Sequence, residues 1–209
     1  MNPWTALLVG ALIGYVLGSI PASYVAGRLL RGIGLRDHGS GNLGATNVYR
    51  TLGWKAAVPV LAIDIAKGSA AVAVGLYLLP SWSTMPDLTA LVCAVTAILG
   101  HGFSPFVGFK GGKGVATAAG AFIALTPVAT LSAIFVWAVL LVATRIMSVA
   151  SVAAAAVLPV NLLVFELLQR GGEARWATMI FGTLIAVWVI LRHRGNLERL
   201  REGKESTLW

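Results

Sequence analysis

A single cysteine, Cys93, means that no disulfide can form within the chain. It lies inside an apolar run, where a cysteine ordinarily serves as a small packing residue. Charge is also scarce: Asp, Glu, Lys and Arg make up 11% of the 209 residues, against 57% hydrophobic. With a mean hydropathy of +0.83, there are too few polar groups to cover a surface facing water. That excludes an ordinary soluble enzyme. No histidine stands at metal-ligand spacing with a cysteine, an acid or another histidine, so neither a metal nor a cofactor is expected. The opening MNPWTALLVG has no basic leader and no small-residue cleavage site, and reads as the start of a retained span. Acidic residues are outnumbered: 16 Lys and Arg against 8 Asp and Glu give a net charge of +8. A nucleic-acid surface would gather its basic groups as a stripe on a soluble fold. Here they fall between apolar stretches, so no nucleic acid is expected.

What the chain has in quantity is uncharged runs near the roughly 20 residues that cross about 30 Å of hydrocarbon. Seven spans fit: Trp4 to Gly27, Ala56 to Leu79, Leu88 to Gly100, two within 114–144, Ser148 to Phe165, and Trp176 to Leu191. The run between Lys113 and Arg145 holds 31 uncharged residues, too many for one ordinary helix and few for two. Pro127, pre-set for the first turn of a helix, divides it into two short spans, four and five, folded as a hairpin. That hairpin places 13 of the 16 Lys and Arg on one side, the excess expected of a cytoplasmic face. Arg170 and Arg175 fall on the other side, and Lys67 lies within the second span. The expected fold is an all-α integral membrane protein of about seven transmembrane helices. Its N-terminus is outside, its C-terminus cytoplasmic, and residues 1–209 form a single domain without repeats.

The polar, glycine-rich segments all fall on the basic side. GSGNLGATN, 39–47, fits G-x-G-x-x-G at Gly39, Gly41 and Gly44, but no strand precedes it and no βαβ unit follows, so a dinucleotide fold is excluded. What survives is the local physics: glycines allow close backbone approach, and amides opening a helix at Ala45–Asn47 can bind an anion. Arg50 follows within a turn. The plainer alternative is a tight connecting loop capped by Asn42 or Thr46. GFKGGKG, 108–114, fails the P-loop spacing, because Val107 stands where the first glycine belongs and Gly114 where a magnesium-holding hydroxyl belongs. Nucleotide hydrolysis is excluded on that ground, yet Lys110 and Lys113 on so bare a backbone still make a phosphate site. Anchoring to anionic lipid would account for the lysines, at about 1 kcal/mol each, but not for the glycines. Ser148 and Ser151 lie three apart at the start of a helix, with Ser148 the expected N-cap and Ser151 free to meet a ligand. The segment Arg192-His193-Arg194-Gly195-Asn196 follows the last span. Asp64 and Lys67 stand at i, i+3 within the second span and are expected as a structural ion pair outside the active site.

Taken together these residues resemble a known family, the bacterial acyl-phosphate:glycerol-3-phosphate acyltransferases of the PlsY type. The resemblance covers nearly the whole chain. It rests on Gly18-Ser19-Ile20-Pro21, on GSGNLGATN with Arg50, on Gly100-His101 followed by GFKGGKGVAT, on Arg145, Ser148 and Ser151, and on RHRGN with Arg199, Gly203 and Glu205. Two positions depart from the usual pattern: Gly34 replaces an aspartate, and Ser104 precedes Pro105 where the proline commonly comes one place earlier. The resemblance implies transfer of a fatty acyl group from acyl phosphate to the sn-1 hydroxyl of glycerol 3-phosphate. The products are lysophosphatidic acid and phosphate, the setting the bacterial inner membrane, and the active site cytoplasmic. Gly39, Ser40, Gly41, Asn42, Thr46 and Asn47 would hold the acyl phosphate. Arg50, Lys110, Lys113, Ser151, His193 and Asn196 would hold glycerol 3-phosphate, with Lys113, Ser151, His193 and Asn196 catalytic. Membrane lipid and a transient contact with the soluble supplier of acyl phosphate are the implied partners. The rival reading is a transporter of a phosphate-bearing anion, which would place its site near the midplane and commonly show internal symmetry.

Overall fold

The computed structural model describes residues 3–80, 85–169 and 173–209, and among them there are helices and turns but no strand. The chain divides into two compact units, Met1–Leu125 and Thr126–Trp209.

The first unit contains α1 (Pro3–Ser19), α2 (Ala22–Arg31), α3 (Ala45–Leu52), α4 (Trp54–Ala73), α5 (Pro86–Gly102) and α6 (Val115–Leu125). One wider π-helical turn, Val74–Leu78, prolongs α4. Small residues decide which helices meet. A Cβ at Gly14 of α1 would lie 2.5 Å from the Cys93 carbonyl of α5, and one at Gly18 would strike the Ala97 carbonyl. Backbones can approach that closely only where side chains are missing, the usual device for pairing helices in lipid. Gly68 of α4 meets the Thr117 carbonyl of α6 in the same way, and Gly120 of α6 meets Ile65. Val72, Ile98 and Phe122 fill what remains, while Leu8 and Leu12 point outward.

The second unit contains α7 (Pro127–Thr144), α8 (Met147–Gln169), α9 (Glu173–Arg192) and α10 (Arg194–Arg201). Helix α8 packs on both α7 and α9. The Asn161 amide of α8 donates to the Ala129 carbonyl at 3.1 Å and to Ser132 Oγ at 2.6 Å. Helices α9 and α10 bend by 51° where they meet at His193.

Among the described residues, five helical stretches are long and apolar enough to cross a membrane: Trp4–Arg31, Trp54–Leu78, Pro86–Val107, Pro127–Thr144 and Met147–Phe165. Helix α9 with α10 makes a sixth if that bent pair counts as one. The helix break falls at Thr126, with Pro127 at the first helical position, as its chemistry dictates. The division is unequal: α7 has 18 residues and α6 only 11, so α6 reaches about 16 Å, half the hydrocarbon thickness. Of the two arginines expected away from the basic face, Arg170 lies outside the described residues.

Candidate active site

The first glycine loop is shaped from beneath. Leu35, Leu43, Val48 and Val107 are buried together in a small apolar core. Asn47, itself fully buried, ties the loop to α3. Its Oδ1 accepts the Ser40 amide at 2.8 Å, and its Nδ2 donates to the carbonyls of Leu35 at 2.9 Å and His38 at 3.1 Å. Gly39 and Gly41 take positive φ, 59° and 68°, and a side chain at Gly39 would collide with Asn47 Oδ1. Glycine at 39 is therefore required by the asparagine, and the loop leaves Ser40 exposed, with Asn42 and Thr46 half-buried. This use of Asn47 differs from the direct phosphate contact expected of it. Helix α3 starts from Gly44 without a side-chain cap, not from Asn42 or Thr46. Its first amides, on Ala45 and Thr46, have no carbonyl one turn back to donate to.

The second loop spends its amides internally. Gly111 N–H donates to the Gly102 carbonyl at 2.9 Å and Gly112 N–H to that of His101 at 3.1 Å, so these two amides are already engaged. Gly112 sits where a Cβ would strike both the His101 ring and the Leu43 carbonyl. Ser104, at one of the unusual positions, donates from Oγ to the Ser19 carbonyl at 2.6 Å. Arg36 joins the two loops: its guanidinium donates to the Val107 carbonyl and, at 2.7 Å, to that of Lys110. Nothing in the sequence singles out Arg36, because its partners are backbone atoms about 70 residues away. Lys110 is exposed, and Lys113 and Arg50 are half-buried.

Behind the loops lies a buried polar cluster. The expected ion pair forms, with Lys67 Nζ 2.7 Å from Asp64 Oδ1. It has a third member, since His101 Nδ1 is 2.8 Å from the same ammonium. Lys67 also donates to the Ile20 carbonyl at 3.0 Å. A cavity of about 10 Å³, lined by these residues with Ser19, Pro21 and Gly112, is roughly the size of one water.

In the second unit, Ser148 and Ser151 are both 3% exposed. Ser148 lies within the first turn of α8 and does not cap it. Its hydroxyl donates instead to Glu205 Oε1 at 2.8 Å. The same carboxylate accepts Asn196 Nδ2 at 2.5 Å and Arg199 Nε at 2.9 Å. Burial alone would raise the Glu205 pKa, but the hydrogen bonds from Asn196, Ser148 and Arg199, with the charge of Arg199, outweigh it and hold the carboxyl below its ordinary value. His193, 3% exposed, stands at the bend between α9 and α10. Its Nδ1 lies 2.7 Å from the Val189 carbonyl, so Nδ1 carries the ring hydrogen and Nε2 is the accepting nitrogen. Among the described residues no group of three His, Cys, Asp or Glu could hold a metal.

Comparison with known proteins places this arrangement in a family. Residues 8–203 match the profile described as glycerol-3-phosphate acyltransferase. Proteins of that name from Chlorobium phaeobacteroides (strain BS1) and Desulforudis audaxviator (strain MP104C) are 39% and 43% identical to the chain, covering 96% and 97% of it and 95% and 96% of the relatives. A crystal structure of PlsY (YgiH), an integral membrane glycerol 3-phosphate acyltransferase in its glycerol 3-phosphate form, superposes with a TM-score of 0.81 at 34% identity. That match covers 96% of this chain and 94% of the other. The lysophosphatidic acid form of the same enzyme superposes with a TM-score of 0.79 at the same identity and coverage.

Proposed function

Because the chain belongs to the glycerol-3-phosphate acyltransferase family, we propose that it transfers a fatty acyl group from acyl phosphate to the sn-1 hydroxyl of glycerol 3-phosphate. The products are lysophosphatidic acid and phosphate, and the reaction is the first acylation of phospholipid synthesis. The observation that carries this reading is the pair of polar glycine loops, locked to one another by Arg36 and standing at the ends of long apolar helices. Both substrates carry phosphate, and one also carries a chain that lipid-facing helices can accommodate. Thirteen of the 16 basic residues sit in the segments assigned to one side, which supports a bacterial inner-membrane protein working at its cytoplasmic face. A soluble enzyme supplying acyl phosphate would meet it there.

Ser40, Asn42, Thr46 and the first amides of α3 hold the acyl-phosphate phosphate, while Gly39, Gly41 and Asn47 give the loop its shape. Arg50, Lys110 and Lys113 supply positive charge for glycerol 3-phosphate. The roles of Ser151, His193 and Asn196 as contacts to the same substrate rest on the family likeness of their segments. Acyl phosphate is a mixed anhydride, so neither a covalent enzyme nucleophile nor a strong general acid is required. The substrate hydroxyl oxygen attacks the acyl carbon and a new carbon–oxygen bond forms. The bond between that carbon and the phosphate oxygen breaks, and phosphate departs with the electron pair. The hydroxyl proton passes to a substrate phosphate oxygen. Placement and charge stabilisation supply the rate.

The donor is tested by giving the purified protein acyl phosphate, acyl-CoA and acyl carrier protein side by side with glycerol 3-phosphate. Product is expected from acyl phosphate; product from acyl-CoA alone would overturn the assignment.

A further inference from the structure

Asp64, Lys67 and His101 are buried in the first unit, and none of the roles assigned above uses them. The Lys67 ammonium makes hydrogen bonds to His101 Nδ1 at 2.8 Å and the Ile20 carbonyl at 3.0 Å and an ion-pair contact with Asp64 Oδ1 at 2.7 Å. An ammonium can only donate, so Nδ1 of the imidazole accepts and the ring hydrogen resides on Nε2. The charges then balance, one cation against one anion, as a buried cluster requires.

Each partner leads to an element that shapes the loops. Ile20 lies at the break between α1 and α2, part of the Gly-Ser-Ile-Pro motif. Ser19, its neighbour, holds Ser104 of the second loop's approach through its carbonyl. His101 receives the Gly112 amide on its own carbonyl. Its Nε2 lies against Gly112 at the point where the Leu43 carbonyl also approaches. One imidazole thus meets Lys67 on one side and, on the other, the place where loop 108–114 passes loop 39–47. Stability is a weak reason to keep such a cluster, because buried ion pairs can often be replaced by packed apolar residues without loss.

We propose that Lys67, held by Asp64, is a positioning residue: it fixes the ring of His101, and the ring sets the spacing of the two glycine loops and hence of the two substrate phosphates. This rests on the reading of those loops as phosphate sites. Reacting atoms must come within about 3–3.5 Å, and a displacement of about 1 Å can cost about 100-fold in rate.

The test is steady-state kinetics of purified variants in detergent, with KM measured for each substrate and thermal unfolding measured alongside. His101→Leu leaves the ion pair intact, and the double variant Asp64→Asn/Lys67→Met leaves the buried site neutral, so both keep a balanced interior. Each is expected to raise KM for acyl phosphate and for glycerol 3-phosphate together and to lower kcat/KM by about tenfold or more, with the unfolding midpoint within a few degrees of the parent. The triple variant is expected to be no worse than the worse of the two, since one contact is lost either way. A lowered midpoint with both KM values unchanged, or a rise for one substrate only, would overturn the proposal. Lys113→Ala serves as the control. If it raises KM for glycerol 3-phosphate while the His101 and Lys67 variants do not, the positioning role alone fails. If it too leaves KM unchanged, the phosphate reading of the loop fails and the proposal falls with it.

Discussion

His193 owes its chemistry to one hydrogen bond. At the C-terminal end of α9 its Nδ1 donates to the Val189 carbonyl one turn back, which fixes the ring and the tautomer. A carboxylate in that position would stabilise an imidazolium, as in a catalytic triad; a carbonyl does so less. The imidazole is therefore better suited to receiving the substrate hydroxyl than to carrying off its proton. His193→Gln, whose amide reaches about as far as Nε2, is expected to keep substantial activity with the pH profile of kcat unchanged, measured between about pH 6 and 9. Loss of activity with disappearance of a titration near neutral pH would make the imidazole the base. At this scale the sequence brings polar residues to notice but does not show how each is placed. Asn47 shares its segment with Ser40 and Asn42, but only the fold shows that it is buried and turned toward its own loop. Spacing alone could not distinguish a ligand from the residue that positions ligands.

The C-terminal segment behaves as a strap. The Leu208 amide donates to the Arg145 carbonyl at 2.7 Å, and Glu205 gathers Ser148, Asn196 and Arg199. The strap therefore ties α10 to the start of α8 within the second unit. The Glu205 carboxyl is 3% exposed and its pKa lies below the ordinary 4.5. A depressed carboxylate contributes stability that is present above its unfolded value and lost as pH falls through the folded one. Stability to thermal unfolding in detergent is thus expected to fall as pH drops below about 4.5. Glu205→Gln, which turns an NH₂ toward Arg199, is expected to cost about 1–3 kcal/mol at neutral pH and to flatten that part of the acid dependence. A variant that unfolds like the parent at every pH would contradict the strap. Most helix boundaries were legible to within a few residues, because proline and uncharged run length fix them, but the break between Ser19 and Ala22 inside the expected first span, Trp4 to Gly27, was not. The strap was not, because the Ser148–Glu205 bond that fastens it joins residues 57 apart in sequence.

Across the whole chain, composition was the strongest guide: few charges, long apolar runs and basic residues confined to some connections dictate helices in lipid. The glycines illustrate what composition cannot say. Those of 39–44 and 108–114 advertised themselves beside asparagine and lysine, whereas Gly14, Gly18, Gly68 and Gly120 sit in plain apolar runs and decide which helices touch. The partner of a small residue is set by the fold and cannot be read from its neighbours. Arg36 and His101 were obscure for the same reason, since both act on backbone or side chains far away in sequence. The central claim, acyl transfer to glycerol 3-phosphate, is tested most directly with purified protein in detergent, acyl phosphate and labelled glycerol 3-phosphate. Labelled lysophosphatidic acid formed one for one with released phosphate, with no sealed compartment present, is the expected result. Absence of labelled lipid, together with uptake of labelled glycerol 3-phosphate by sealed vesicles containing the protein, would contradict it and make the chain a carrier.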